Sequence, residues 1–471
     1  MVERYESPLI SRYASEEMLR LFSQRTRIET WRRLWLELAR AERELGLPIT
    51  QGQVEELEAQ LGEIDFDFAA ERERALRHDV MAHIAAYGKA APGAAGIIHL
   101  GATSCYVTDN GDLILYREAL GMLRARLRAL LKVLAGFAER TRALATLGYT
   151  HYQPAQPVTV GKRATLWMQD LICDLEELDA VSAGMKFLGC RGTTGTEASF
   201  LQLFDGDGEK VDRLNAMLAE RFGFAECWAV CGQTYPRKAD CRILNALSGI
   251  AQSCTRLATD IRLLQHDRQL EEPFAESQVG SSAMPYKRNP MRCERICSLS
   301  RSLITLSLNA PLTAAGQWLE RTLDDSANRR LTMPEAFLCA DAVLRLAQNV
   351  CEGLTVNEKV IAKALEEVLP FLATENLMME AVKRGGDRQQ LHEVIRRCSM
   401  TATRRMKDGE DGGLPALLAA EPAFGMTEEE LRAQLDPGRF IGRAPEQVDA
   451  FLRRYESLWS GTEAVPADIP F

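Results

Sequence analysis

Between Gly280 and Pro290 the chain reads Gly280-Ser281-Ser282-Ala283-Met284-Pro285-Tyr286-Lys287-Arg288-Asn289-Pro290. Small residues here feed a helix start, where unpaired backbone N–H groups and the positive end of the helix dipole favour an anion. Lys287, Arg288, Arg292 and Arg295 crowd four cations into one short stretch. A carboxylate or phosphate ligand fits them, and so does a solvated basic loop. A second stretch, Gly148-Tyr149-Thr150-His151-Tyr152-Gln153-Pro154-Ala155-Gln156-Pro157, carries one of only six histidines in the chain. The near-neutral pKa of imidazole suits proton transfer at pH 7. A third, Gly101-Ala102-Thr103-Ser104, places two hydroxyls before a helix, where they can bind a carboxylate or simply cap the helix.

Other chemistries fail on spacing. Val160-Gly161-Lys162-Arg163 is not a phosphate-binding P-loop, because Gln156 stands where Gly is needed and Arg163 where Ser or Thr is needed. Gly189-Cys190-Arg191-Gly192-Thr193-Thr194-Gly195 does not match a dinucleotide fingerprint. His78 and His83 are wrongly spaced for a helical zinc pair. The gaps Cys227–Cys231 and Cys293–Cys297 are weak zinc signals. No metal and no organic cofactor is expected.

The elements that must position these residues are helical. From Asp112 to about Arg142, apolar residues recur at steps of three and four, through Leu113, Tyr116, Leu120, Leu123, Leu127, Leu130, Leu134 and Phe137. Asp109 and Asn110 are read as its N-cap. A helix of roughly 30 residues is about 45 Å long. Similar stripes run through Ala164, Met168, Leu171, Leu175 and Leu178, and through Ile243, Leu247, Ile250, Cys254, Leu257, Ile261 and Leu264. A fourth helix is expected to start at Asn289-Pro290 and run to Pro311, and a fifth to follow Pro334. Strand-like alternation is nearly absent. Long helices with heptad-like stripes pack as a bundle. Several of them offer more apolar face than one chain covers, so oligomerisation is expected. Three domains are expected: 1–103 and 357–471 with shorter helices, and 104–356 as the long-helix body.

At 471 residues the chain exceeds one ordinary core, and its 46% hydrophobic and 26% charged composition is that of a globular protein. No apolar run of about 18 residues is present, so no membrane span is expected. The start MVERYESPLI has no secretory pattern. Twelve scattered cysteines read as reduced thiols of a cytoplasmic protein. The net charge of −9 argues against nucleic acid or an anionic membrane as partner. It leaves room for a small anion held by a local cationic patch.

Resemblance adds to this reading. Ser281-Ser282-Ala283-Met284-Pro285-Tyr286-Lys287-Arg288-Asn289 resembles the signature S-S-x-M-P-x-K-x-N of the fumarase/aspartase superfamily. The His151 stretch resembles that superfamily's T-H-x-Q-x-A-Q block, and Gly101–Ser104 its G-x-T-S block. Three further stretches look like the adenylosuccinate lyase family, its animal-type members in particular. They are Arg77-His78-Asp79-Val80-Met81-Ala82-His83, Gly232-Gln233-Thr234-Tyr235, and Glu320-Arg321-Thr322-Leu323-Asp324-Asp325-Ser326-Ala327-Asn328-Arg329-Arg330.

The resemblance implies an all-α, three-domain lyase with a long central helical bundle, assembled as a homotetramer whose sites combine residues from three subunits. It implies elimination of fumarate from adenylosuccinate, giving AMP, and from succinyl-aminoimidazole carboxamide ribotide, giving AICAR. By position it makes Ser281 the base and His151 the general acid, with the choice of Ser281 over Ser282 resting on family position. Arg12, Tyr13, Arg295, Arg321, Ser326 and Arg330 would hold the nucleotide phosphate and neighbouring groups. His78, Thr103, Ser104, Gln233, Lys287 and Asn289 would hold the succinyl part or the reacting centre, and Arg77 and Asp79 complete the substrate-binding set. The loop 275–289 would close over substrate. Argininosuccinate lyase or aspartase, or a non-catalytic structural derivative, are the competing readings within the superfamily.

Overall fold

A computed structural model describes residues 3–275, 277–467 and 469; the expected lid 275–289 thus includes one position, 276, outside the described residues. After a single π-type turn at Leu9–Tyr13, helix α1 (Gln24–Glu44) is capped by Ser23, whose hydroxyl accepts from Thr26 N at 3.2 Å. Helix α2 (Asp79–Ala90) is followed by the longest element, α3 (Ser104–Arg140). With 37 residues, α3 spans about 55 Å. The chain then turns through strands β1 (Ala145–Thr150) and β2 (Gln153–Thr159) into α4 (Val160–Ala183). Helix α5 (Lys238–His266), the short strand β3 (Leu270–Glu271), α6 (Met291–Leu306) and α7 (Asp324–Glu352) complete the bundle. Strand β4 (Thr355–Val356) pairs antiparallel with β3 before α8 (Glu358–Leu372).

The apolar stripes face inward as their period requires: Leu123, Leu127, Leu130, Met168, Leu171, Ile250, Leu257, Ile261 and Leu344 are all fully buried in one cluster. A second core joins α1 and the first turns of α3 to Phe187, Phe200, Leu214 and Phe222, so the segment between α4 and α5 folds back onto the amino-terminal helices. A third core lies within 373–431, around Leu377, Leu391, Leu414 and Phe424. The carboxy-terminal tail is tied along the bundle, with Arg126 donating to Pro466 O and Gln348 to Val465 O. Among the described residues no helix is long and apolar enough to cross a membrane. All twelve cysteines are free thiols.

Four expectations about elements are corrected. Asp109 and Asn110 are not a cap: α3 begins five residues earlier, at Ser104, and both side chains are buried in its second turn. Asn110 Oδ1 accepts from Leu188 N at 2.9 Å and Gly189 N at 3.1 Å, so it satisfies a loop rather than a helix end. The His151 stretch is a β-hairpin, which its prolines and glycine hid from a search for alternation. Helix α6 starts at Met291 and ends at Leu306, and Pro311 lies inside a separate short helix, Asn309–Ala315. Pro334 does not start α7 but sits within it. The helix continues because its flanks, including Met333, Ala336 and Phe337, are buried in the core on either side of the lost hydrogen bond.

Glu42 on α1 stands out in the amino-terminal core. Its side chain is fully buried and neither carboxyl oxygen has a hydrogen-bond partner among the described residues. Burial pushes its pKa up to about 9. Between the unfolded value and that one, the folded state binds more protons than the unfolded state, so stability falls as pH rises through the window. Glu42→Gln removes the titration. Its melting temperature relative to the parent chain is expected to rise from pH 5.5 to pH 8; a pH-independent difference, measured by scanning calorimetry, would contradict the buried-acid assignment.

Candidate active site

A cleft of about 640 Å³ opens where α2, α3, α5 and α7 begin. Eight of the expected substrate-binding residues line it: Arg77, His78, Asp79, Ser104, Gln233, Arg321, Ser326 and Arg330. Each is placed by a helix end or the loop before one. His78 caps α2, its Nδ1 accepting from Met81 N at 3.4 Å. Its Nε2 lies 3.2 Å from Ser104 Oγ, within hydrogen-bond distance. Arg77 closes the helix Phe66–Leu76 in the left-handed conformation, φ 56°. Burial alone would raise the pKa of Asp79, but the 2.7 Å ion pair with Arg330 outweighs it and holds the carboxyl below its usual range. Gln233 is fixed at both ends of its amide, accepting from Cys105 Sγ at 3.3 Å and donating to Thr193 O at 3.0 Å.

Beneath the cleft lies a charge network that sequence reading missed. Arg237 grips Asp109 with both terminal nitrogens, at 2.9 and 3.2 Å, and donates Nε to Asp325 at 2.7 Å. Arg329 bonds Asp240 at 2.7 Å, Asp112 at 3.0 Å and the Tyr235 hydroxyl. The other oxygen of Asp325 accepts from Arg321 at 2.8 Å. Arg237, Asp109, Asp240 and Asp325 are almost wholly buried. Desolvation opposes the charge on Arg237, yet the facing carboxylates, Asp109 first, raise its pKa. Isolated Asp and Arg within helices carry no distinctive sequence signal. The available hint was charge at positions continuous with apolar stripes on three helices.

The expected acid and base lie elsewhere. His151 and Tyr152 form the exposed two-residue tip of the β1–β2 hairpin, with φ 52° and 57° as a type I′ turn requires. Gly148 permits the hairpin's bulge, since a Cβ there would meet Gln156 O at 2.5 Å. The hairpin docks at the far end of α5, where Gln269 donates to the Tyr149 hydroxyl at 3.3 Å.

The basic loop hangs from the same end, where Gln265 donates to Arg288 O at 3.2 Å. Within it, Ser281 Oγ accepts from Ala283 N at 3.3 Å and Met284 N at 3.1 Å. Two backbone dipoles thus converge on that oxygen, the arrangement that stabilises negative charge. Asn289 donates to Gly280 O at 2.7 Å and clasps the loop's ends.

One expectation changes here. The N–H groups at the start of α6 are not open to a ligand anion: Arg292 N and Cys293 N donate to the buried Glu272 carboxylate at 3.0 and 2.9 Å. The dipole holds the loop's base in place. Arg295 lies on α6 beyond these bonds, and Lys287 is exposed in the loop. Thr103 is the cap residue of α3, its side chain making no cap hydrogen bond. Arg12 and Tyr13 end the π-type turn along α7, where Tyr13 O accepts from Arg345 at 2.9 Å.

One chain therefore divides the expected set between two ends. The cleft sits at the starts of α3, α5 and α7, while the hairpin follows the end of α3 and the loop follows the end of α5. Helix α5, with 29 residues, alone separates them by about 43 Å.

Comparison with known proteins follows the same outline. The sequence model of a family described as "Lyase" matches residues 51–304, and one described as "Adenylosuccinate lyase C-terminus" matches 370–451. A Schizosaccharomyces pombe protein named adenylosuccinate lyase is 50% identical over 96% of this chain and 94% of its own. The Saccharomyces cerevisiae protein of that name is 48% identical over 96% and 95%. Among solved structures, a 3-carboxy-cis,cis-muconate lactonizing enzyme from Pseudomonas putida superposes with a TM-score of 0.83 at 24% identity, covering 96% of this chain and 100% of its own. A fumarate lyase from Mesorhizobium sp. BNC1 gives 0.79 at 23%, covering 96% and 99%. These two show the fold.

The buried network generates a stability prediction. Asp325→Ala strips one carboxylate from Arg237 while Asp109 remains, and is expected to cost about 3 kcal/mol, the low end for breaking a buried pair. Urea unfolding checks this, and an unshifted midpoint would show that the network does not hold the helix starts together.

Proposed function

We propose the following chemistry for a chain that belongs to the adenylosuccinate lyase family. It eliminates fumarate from adenylosuccinate, leaving AMP, and from the succinyl-aminoimidazole carboxamide ribotide, leaving AICAR, in purine nucleotide biosynthesis. The observation that carries this reading is identity of 41–50% with proteins of that name along nearly the whole chain.

The reaction removes a proton from the carbon beside a succinyl carboxylate; its electron pair becomes the C=C bond as the C–N bond breaks, and the pair left on nitrogen is protonated. The carbon acid is weak, so charge builds on the carboxylate, and donors already aimed at it give the greatest help. We assign the base to Ser281. The two N–H groups converging on its Oγ favour the alkoxide, and no such bonds are made to Ser282 among the described residues. Lys287 adds positive charge in the same loop. Because Glu272 occupies the α6 terminus, that helix contributes by fixing the loop, and the carboxylate falls to Lys287, Asn289 and the loop's own amides. His151 at the tip of its hairpin protonates the departing nitrogen. His78, Ser104 and Gln233 hold the succinyl part, and Arg321, Ser326 and Arg330, with Arg12, Tyr13 and Arg295, hold the nucleotide.

The 43 Å between the two ends is too far for one small substrate, so the working site is proposed to form between copies in a homotetramer, with three chains contributing to each. Leu308, Leu312, Trp318, Leu319 and Leu323 expose a broad apolar surface near the cleft, which supports burial against another copy. Closure of the loop over substrate and a cytoplasmic location complete the proposal.

Ser281→Ala and His151→Ala are each expected to lower fumarate release roughly 10²–10⁴-fold with assembly intact. In a site built from three chains the hairpin and the loop come from different copies, so mixing the two inactive variants with subunit exchange should restore part of the activity. No recovery after demonstrated exchange would refute that three-chain site, and release of fumarate only from argininosuccinate would overturn the substrate.

A further inference from the structure

We infer that Arg27 binds the nucleotide's phosphate, as an anchoring residue beyond those the family motifs supply. The inference rests on the lyase reading above and concerns a side chain on α1 that no motif marked. A second cavity of about 420 Å³ between α1, α3 and α7 adjoins the main cleft, and Arg27, Asp112, Arg329 and Arg330 line both. The second cavity is otherwise largely apolar, with Ile10, Phe22 and Leu338 among its walls. His78, Ser104 and Gln233, assigned to the succinyl part, line only the main cleft, as do Arg321 and Ser326 of the nucleotide set. Arg27 stands where the two cavities meet, with Arg330.

The guanidinium of Arg27 is poorly satisfied. Its Nε is buried with no hydrogen-bond partner, and among the described residues it makes no ion pair; only the Trp31 ring faces it, at 5.4 Å. The charged groups around it are Arg330, Asp112, Asp79 and Glu73. Asp112 is already bonded to Arg329 and Asp79 to Arg330. Burial and the like charge of Arg330 both press against its protonated form. A half-buried cation held beside another cation, its Nε–H unpartnered, is stabilised when an anion enters. A phosphate dianion bridging Arg27 and Arg330 meets both demands, and the planar guanidinium suits its oxygens.

The experiment compares AMP with adenosine in direct binding to the full-length protein by titration calorimetry, for the parent chain, Arg27→Met and Arg27→Lys. Arg27→Met is expected to weaken AMP binding about tenfold to a hundredfold, the size of a charged hydrogen bond, and to leave adenosine binding alone. Arg27→Lys should fall between, and the loss of kcat/KM on adenylosuccinate should be carried by KM. Equal losses for AMP and adenosine would mean that Arg27 acts through packing, and unchanged AMP binding would mean that it makes no contact; either overturns the inference. Should Arg27→Met fail to fold, Arg27→Gln and Arg27→Lys decide by the same comparison. A parent chain that binds AMP but releases no fumarate would remove the lyase reading while leaving the phosphate contact measurable.

Discussion

Two buried guanidinium groups hold the cleft end of this molecule together. Arg237, at the cap of α5, reaches Asp109 on α3 and Asp325 on α7. Arg329, on α7, reaches Asp240 on α5 and Asp112 on α3. The starts of the three long helices are thus cross-tied in both directions. Taking these charges out of water is costly, and well-packed apolar residues would often stabilise a bundle as much or more. Hydrocarbon cannot, however, fix the direction of Arg321, which leans on the second oxygen of Asp325. Nor can it set the register in which α3 presents Ser104 and α7 presents Ser326 and Arg330. The network sacrifices stability for position, which is what a site built on helix ends needs.

The opposite end obeys a different rule. There the proposed reactive groups sit on a hairpin and a loop, each tied down by only a few bonds. Glu272 plugs the start of α6, so the loop begins from a fixed base, and Asn289 clasps its stem. Between these anchors Met284 and Tyr286 are exposed, consistent with a segment that acquires its remaining contacts from substrate or another copy. In the proposed reaction the cross-tied cleft and the loosely held hairpin and loop meet through assembly. The length of the helices then acts on function directly, by keeping either end incomplete alone.

Much of this was legible in the sequence. The apolar stripes located the long helices, because burial enforces their period. The serine-bearing loop and the histidine stretch offered suitable residue types, and it was their resemblance to lyase motifs that singled them out. The hairpin was not legible, since Pro154, Pro157 and Gly148 break the alternation that marks strands. Asp109 was misread as a cap for a reason that generalises: Asp favours helix starts, and only tertiary contact with Arg237 distinguishes a buried carboxylate from a capping one. The free terminus expected before α6 was misjudged likewise, because Glu272 lies twenty residues from the amide it caps and local rules do not reach that far.

Charge was hardest to read at the level of the whole chain. A net −9 sums every charge in the chain and says little about a cleft whose carboxylates are mostly bonded to arginine. What an anionic ligand meets there is the remainder after internal pairing. Asp79 neutralises Arg330, Asp325 shares Arg321, and Asp112 is engaged by Arg329, while Arg27 and Arg77 line the cleft without ion pairs among the described residues. Counting Arg in the sequence overstates the attraction, and summing formal charge reverses its sign. An entering phosphate competes with Asp79 for Arg330 but displaces nothing from Arg27, so the less conspicuous arginine offers the larger net gain per contact. If Arg27 takes the phosphate as inferred, selectivity for the nucleotide over its nucleoside follows from how the carboxylates are paired off, a property of the folded chain that composition does not carry.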